Sequence, residues 1–286
     1  MKEQKKINML SLRSMTGFLK KYPKEAVSVL LFFLAYLPTF CWMWDRWFVR
    51  DSYYTHGILI PFVVGYLIWQ KRDELKRLSF QESPWGIRLI ILGLLIHFIS
   101  SILRVYFSSG FSAIVVLIGL ILYFYGEAVF KKICFPIFFL IFMMPLPLVI
   151  ITNLSFKLKL FAAHVATLIL NKIGIPALCE GSLVKMRSAY VIVDDVCSGL
   201  RSLISLTALG SIFAYWMKAS RLKRILLFLS TIPIAIITNA LRIVFLASVN
   251  EIWGAQYAHG FIHDLSGFMV FALAFVLLFS VGRLLE

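Results

Sequence analysis

Long apolar runs broken by short charged segments dominate the chain, and about 20 apolar residues are needed for a helix to cross roughly 30 Å of hydrocarbon. Eight runs are expected to cross, at 27–44, 56–70, 87–104, 111–126, 133–152, 199–217, 225–247 and 264–282. The first is too long for the apolar part of a signal peptide, and no small-x-small cleavage site follows it, so it reads as a retained helix. A segment at 153–172 (NLSFKLKLFAAHVATLILNK) is apolar enough to compete as a ninth crossing, but Asn153, Lys157, Lys159 and His164 interrupt it. It is expected as an amphipathic helix on the outer surface. Pro145 and Pro147 turn the chain just before it. Residues 174–199 are non-helical in pattern, and LVKMRSAYVIV has the β-branched content of a short hairpin.

Composition agrees with the pattern. Of 286 residues, 60% are hydrophobic and 15% charged, with a mean hydropathy of +0.88. A soluble domain would carry about 25% charged residues, so disorder, a disulfide scaffold and a soluble nucleic-acid binder are excluded. The net charge of +15 therefore bears on orientation and not on nucleic acid. Residues 1–26 hold seven Lys/Arg, which places the N-terminus in the cytoplasm. Alternating from there, KRDELKRLSFQESPWGIR, EAVFKK, KASRLKR and the C-terminal tail also face inward, giving 19 inner Lys/Arg against nine outer ones. Were 153–172 to cross, KASRLKR would face outward and the Lys/Arg-free NEIWGAQYAHG inward. The expected architecture is thus an all-α integral membrane protein of about eight helices. An outer amphipathic helix and an extracytoplasmic hairpin-like loop (153–198) complete it in one polytopic domain, residues 1–286, with both termini cytoplasmic and no further domain expected after 286.

Ionisable groups near a membrane are costly and mark candidate chemistry. Arg242, in NALRIVFLASV, falls near the outer end of a crossing, where it could also be an arginine reaching the interface. Cys197, in DDVCSGLRSL, precedes a crossing at Ser198-Gly199. The positive end of that helix and Arg201 would favour its thiolate. Alternatively it is a small packed hydrophobe, or it pairs with Cys179 of the same outer loop. Cys41 and Cys134 lie inside apolar runs. Of the histidines, His97 and His164 read as packed or interfacial, whereas His56, His259 and His263 map to the outer edge. His263 is the best base because it starts the last crossing; Asp264, adjacent in sequence, is a poor orienter for it. Asp194 or Asp195 could orient or charge the site, and Asn239 and His56, with Arg201, are expected to support it or bind substrate. No spacing typical of zinc occurs, and no cofactor is required.

Cys197, Arg242 and His263 stand on three crossings yet at one outer depth. Thiol, imidazole and guanidinium suffice for acyl transfer: nucleophile, proton carrier and oxyanion partner. A transporter or exopolysaccharide-export component, with Arg242, His263 and Arg201 lining a pathway, is the alternative.

Five motifs in order, THGILIPFVVGYLIWQKR, FPIFFLIFMMPLP, VCSGLRSL, NALRIVFLA and IHDLSGF, make the chain resemble the exosortase/archaeosortase family of membrane sorting enzymes. The resemblance implies a Cys, Arg and His catalytic set at the outer face, falling on Cys197, Arg242 and His263. The histidine favours the bacterial, exosortase branch and a cell (inner) membrane location. It further implies substrates with a C-terminal sorting signal, made of a short motif such as Pro-Glu-Pro, a transmembrane helix and a basic cluster. Cleavage near the motif would be followed by transfer to a cell-envelope acceptor. Asp194-Asp195-Val196 is more acidic than the family pattern, which leaves the signal motif open.

Overall fold

The computed structural model describes residues 22–254, 256 and 261–286, so the basic segment before Tyr22 and His259 lie outside the described residues. Two compact units divide the chain: Met1–Asp45 with Ile60–Met144, and Arg46–Leu59 with Pro145–Glu286.

The first unit is built from α1 (Pro23–Ala35), α2 (Leu37–Phe48), α3 (Leu59–Gln70), α4 (Pro84–Ile102), α5 (Tyr106–Phe124) and α6 (Gly126–Phe139), with α2 and α3 each running across its boundary. Pro38 explains the 58° bend between α1 and α2, because its ring removes an N–H and clashes with the preceding turn. Helices α4 and α5 pack closely through glycines: a Cβ on Gly86 would lie 2.5 Å from the Tyr123 backbone, and one on Gly93 2.5 Å from Val116. Small residues let membrane helices approach in this way without a hydrophobic drive between them. The buried polar groups here are paired. Tyr36 meets Ser112 at 2.9 Å, Thr39 meets Ser109 at 2.6 Å, and His97 Nδ1 meets Ser109 at 2.8 Å. His97 is thus packed, as its apolar surroundings suggested.

The expected crossing at 133–152 is not one helix. Helix α6 runs into a 3₁₀ turn at Leu140–Met143, and the backbone opens at Pro145 and Pro147. Residues 148–152 belong instead to α7 (Leu148–Lys172), which starts directly after Pro147 in extended backbone. Five helices among the described residues are long and apolar enough to span a membrane, or six if α1 and α2 form one bent span; α7 is among the five. The runs at 56–70 and 199–217 form shorter apolar helices, Thr55–Gln70 and Leu200–Trp216. A multi-pass membrane protein follows.

In the second unit, α7 leads to β1 (Ala177–Glu180), β2 (Leu183–Met186) and β3 (Tyr190–Ile192), an antiparallel sheet in the order β1-β2-β3. The expected hairpin is β2–β3, and β1 adds a strand to it. Gly181, at φ +64, makes the tight turn between β1 and β2. One sheet face is apolar: Val184, with Val193 just after β3, packs on Ala162, Ala163, Ala166 and Leu170 of α7. Ile243, Val244 and Ala247 of α9 complete this core.

Three further helices among the described residues belong to the unit: α8 (Leu200–Trp216), α9 (Arg221–Trp253) and α10 (Phe261–Leu285). Their mutual register follows from close contacts. Gly199 faces Asn239 and Gly210 faces Thr231, while Arg242 bonds Ser266 and Leu227 touches Gly282. Helix α8 therefore starts beside Asn239, and α9 continues past that level through residues 240–253, about 20 Å at 1.5 Å per residue.

Candidate active site

Cys197 closes a 3₁₀ turn, Asp195–Cys197, between β3 and α8. Its N–H donates to the Asp194 carbonyl at 2.9 Å, and the Ser198 N–H to the Asp195 carbonyl at 3.2 Å. Gly199 then adopts φ +82 and α8 starts at Leu200. The left-handed residue removes Cys197 from the helix itself, so the expected shared face with Arg201 does not form. Arg201 instead reaches Asp51 at 3.5 Å.

Two groups on α9 address Cys197. The Asn239 amide, 3% exposed, donates to the Cys197 carbonyl at 2.8 Å. A Cβ on Gly199 would lie 2.8 Å from the Asn239 Cγ, so this contact needs glycine on conformational and steric grounds together. Arg242, one turn further along the same helix, acts on the thiol through its charge. Burial pushes the Cys197 thiol up, the Arg242 guanidinium opposes that shift, and the Asp194 carboxylate adds to it. The expectation of a thiol lowered by the helix terminus and Arg201 is thus corrected: desolvation outweighs the favourable charge, and the charge is that of Arg242.

Arg242 is itself oriented. Its Nε donates to the Ser266 hydroxyl at 2.9 Å, and its Nη2 lies 3.6 Å from where a Cβ on Gly267 would be. Ser266 is 2% exposed. The bond ties α9 to α10, and His263 stands three residues before Ser266 in the first turns of α10. The side chains of His263 and Asp264 fall outside what the structure describes.

Asp195 holds the other side of the turn. Its Oδ1 accepts from Lys159 Nζ at 2.9 Å and from the Ser155 hydroxyl at 3.2 Å, both on α7. The Lys159 ammonium holds the Asp195 carboxyl below its usual range. Its carbonyl also receives the Ser198 hydroxyl at 2.7 Å and the Tyr53 hydroxyl at 3.4 Å. His56 Nδ1 meets Ser205 at 3.3 Å, a full helical turn into α8 and below the Cys197 turn.

The structure therefore brings Cys197, Arg242, Asn239, Asp194 and Asp195 together and sets His56 and Arg201 to one side. Lys159, Ser155 and Ser266 were missed in the sequence. Lys159 had seemed only to interrupt an apolar run, and a serine in a membrane helix carries no signal of its own. No disulfide links Cys179 to Cys197; the Cys179 thiol donates to the Gly181 carbonyl at 3.3 Å. Among the described residues no group of three His, Cys, Asp or Glu could hold a metal ion.

Comparison with known protein families matches residues 44–280 to the transmembrane exosortase family. No curated protein and no solved structure matches the chain.

Proposed function

The chain belongs to the transmembrane exosortase family, and from that premise we propose that it is a membrane-embedded cysteine peptidase or transpeptidase. On this reading Cys197 is the nucleophile, Arg242 the oxyanion partner and His263 the proton carrier. Its substrates are exported proteins that end in a sorting signal: a short motif such as Pro-Glu-Pro, a hydrophobic helix and a basic cluster.

The observation that carries the reading is the arrangement just before the start of α8. The N–H groups of Cys197 and Ser198 are spent inside the turn, so neither is free to stabilise the oxyanion of a tetrahedral adduct bonded to the Cys197 sulfur, and a side-chain donor would serve in their place. Arg242, whose charge already acts on the thiol and whose Nε is fixed by Ser266, is placed to supply it. The thiolate attacks the scissile carbonyl and the C–N bond breaks. His263 returns a proton to the leaving amine, and water or an envelope amine then takes the acyl group from sulfur.

The basic α8–α9 turn, KASRLKR, faces the cytoplasm. Helix α8 then carries the chain about 26 Å to Cys197 at the outer surface of the inner membrane. In this orientation α7 and the sheet, which pack on α9 beyond Asn239, lie outside the lipid, although α7 is long and apolar enough to cross it. A substrate's hydrophobic tail would sit among the crossings with its basic end inside and its cleavable bond near Cys197.

The test compares membrane-protein C-termini by mass spectrometry in wild-type cells and cells carrying Cys197→Ala. A set of proteins that keep hydrophobic tails only in the mutant is expected, and the retained tails would reveal the motif. Unchanged C-termini, with the variant made at normal levels, would refute the nucleophile assignment and move transport ahead.

A further inference from the structure

The three-residue turn that carries Cys197 is short, and 3₁₀ turns have poor internal hydrogen-bond geometry. On one side it is fixed by the Asn239 amide. On the other it is fixed through Asp195, whose carboxylate takes Lys159 and Ser155, residues one helical turn apart on α7.

We propose that Lys159 is a positioning residue: through Asp195 it holds the Cys197 turn at the place where the thiol meets Arg242. The proposal rests on the reading of Cys197 as the nucleophile. Three observations support it. The Lys159 side chain is only 20% exposed, although a four-carbon stem could have carried its ammonium into water. It points instead at Asp195, with Phe156 at 5.6 Å on the flank. The Asp195 side chain is 59% exposed, so the pair adds little to fold stability and its removal leaves the helices standing. Finally, Asp195 joins the two holds: its carboxylate anchors to α7 while its carbonyl receives Ser198, the residue following the nucleophile.

The test uses the full-length protein in membranes with Cys41, Cys134 and Cys179 replaced by alanine, so that Cys197 is the one thiol. Its alkylation rate with N-ethylmaleimide is measured beside C-terminal processing, and an immunoblot checks the level of each variant. Misplacing a reacting group by about 1 Å costs up to about 100-fold, so Lys159→Met is expected to lower processing at least tenfold at normal protein level. It is also expected to change the alkylation rate. Lys159→Arg and the exchanged pair Lys159→Asp/Asp195→Lys are expected to restore both.

Wild-type processing and alkylation in Lys159→Met would overturn the proposal. So would a loss that neither the arginine nor the exchanged pair relieves, because the lysine would then matter for its volume alone. If alkylation follows Lys159 as expected while Cys197→Ala leaves processing untouched, the hold on the turn stands and the nucleophile reading fails.

Discussion

Gly199→Ala probes the site most directly, because two separate costs meet at one atom. The first is conformational: φ +82 costs an L-residue about 1–2 kcal/mol. The second is a collision, since the new Cβ would stand 2.8 Å from Asn239 Cγ and 2.9 Å from its Nδ2. Asn239 is nearly fully buried and can yield only by abandoning its bond to the Cys197 carbonyl, worth about 1 kcal/mol net. The sum is about 2–3 kcal/mol of stability. Processing should fall about 10–100-fold, because the displaced group is the one that fixes the nucleophile's turn. Gly181→Ala is the control: it has φ +64 but nothing within 4 Å of its Cβ, so it carries the conformational cost alone. Thermal unfolding in detergent and C-terminal processing are measured for both, and for Gly199→Ala/Asn239→Ala. The double variant should be less damaging than the sum of the single ones, since the collision disappears with Asn239. A Gly199→Ala protein no worse than Gly181→Ala in either assay, or strict additivity in the double variant, would refute the reasoning.

Ser266→Ala removes the acceptor that orients Arg242, a bond to a charged group worth about 1.5–3 kcal/mol, and should lower kcat/KM for processing about 10–100-fold at normal protein level. Because burial raises the Cys197 thiol, its alkylation should rise with pH through a midpoint above that of an ordinary cysteine. Arg242→Gln removes the charge that favours thiolate and should move that midpoint higher, whereas Asp194→Asn should move it lower; shifts in the opposite directions would contradict the assigned electrostatics. His263→Ala should abolish processing and His259→Ala should not, as read from the same C-terminal mass spectra, and the reverse result would exchange their roles.

Much of the site could be read from spacing because a membrane converts sequence position into depth. Arg242 and Cys197 lie some 45 residues apart, yet counting rises along alternating helices sets them at one level. The proline break before α7 and the β2–β3 hairpin were equally visible, since proline and β-branched residues act locally. What could not be read depends on which helix faces which. Lys159 finds Asp195 across 36 residues and Asn239 finds the Cys197 carbonyl across 42, and no local pattern encodes either pairing. The thiol's direction of shift was misjudged for the same reason. Helix dipole and sequence neighbours are local, whereas burial is set by α7 and α9. The boundary at 133–152 failed because hydropathy averages over Pro145 and Pro147, while the backbone cannot.

Helix α9 runs unbroken from the α8 turn to Trp253, and it holds the sheet as well as the site. Asn250 donates to the Tyr190 carbonyl at 2.8 Å, and Glu251 accepts the Ser188 N–H at 3.1 Å. From Arg242 to Glu251 the rise is about 13 Å, a span that an extended chain covers in about four residues. Both ends of that interval are fixed to a single rod, so the interval cannot stretch when the rod tilts. The hairpin tip and the Cys197 turn therefore keep a fixed separation, and a tilt of α9 moves both together.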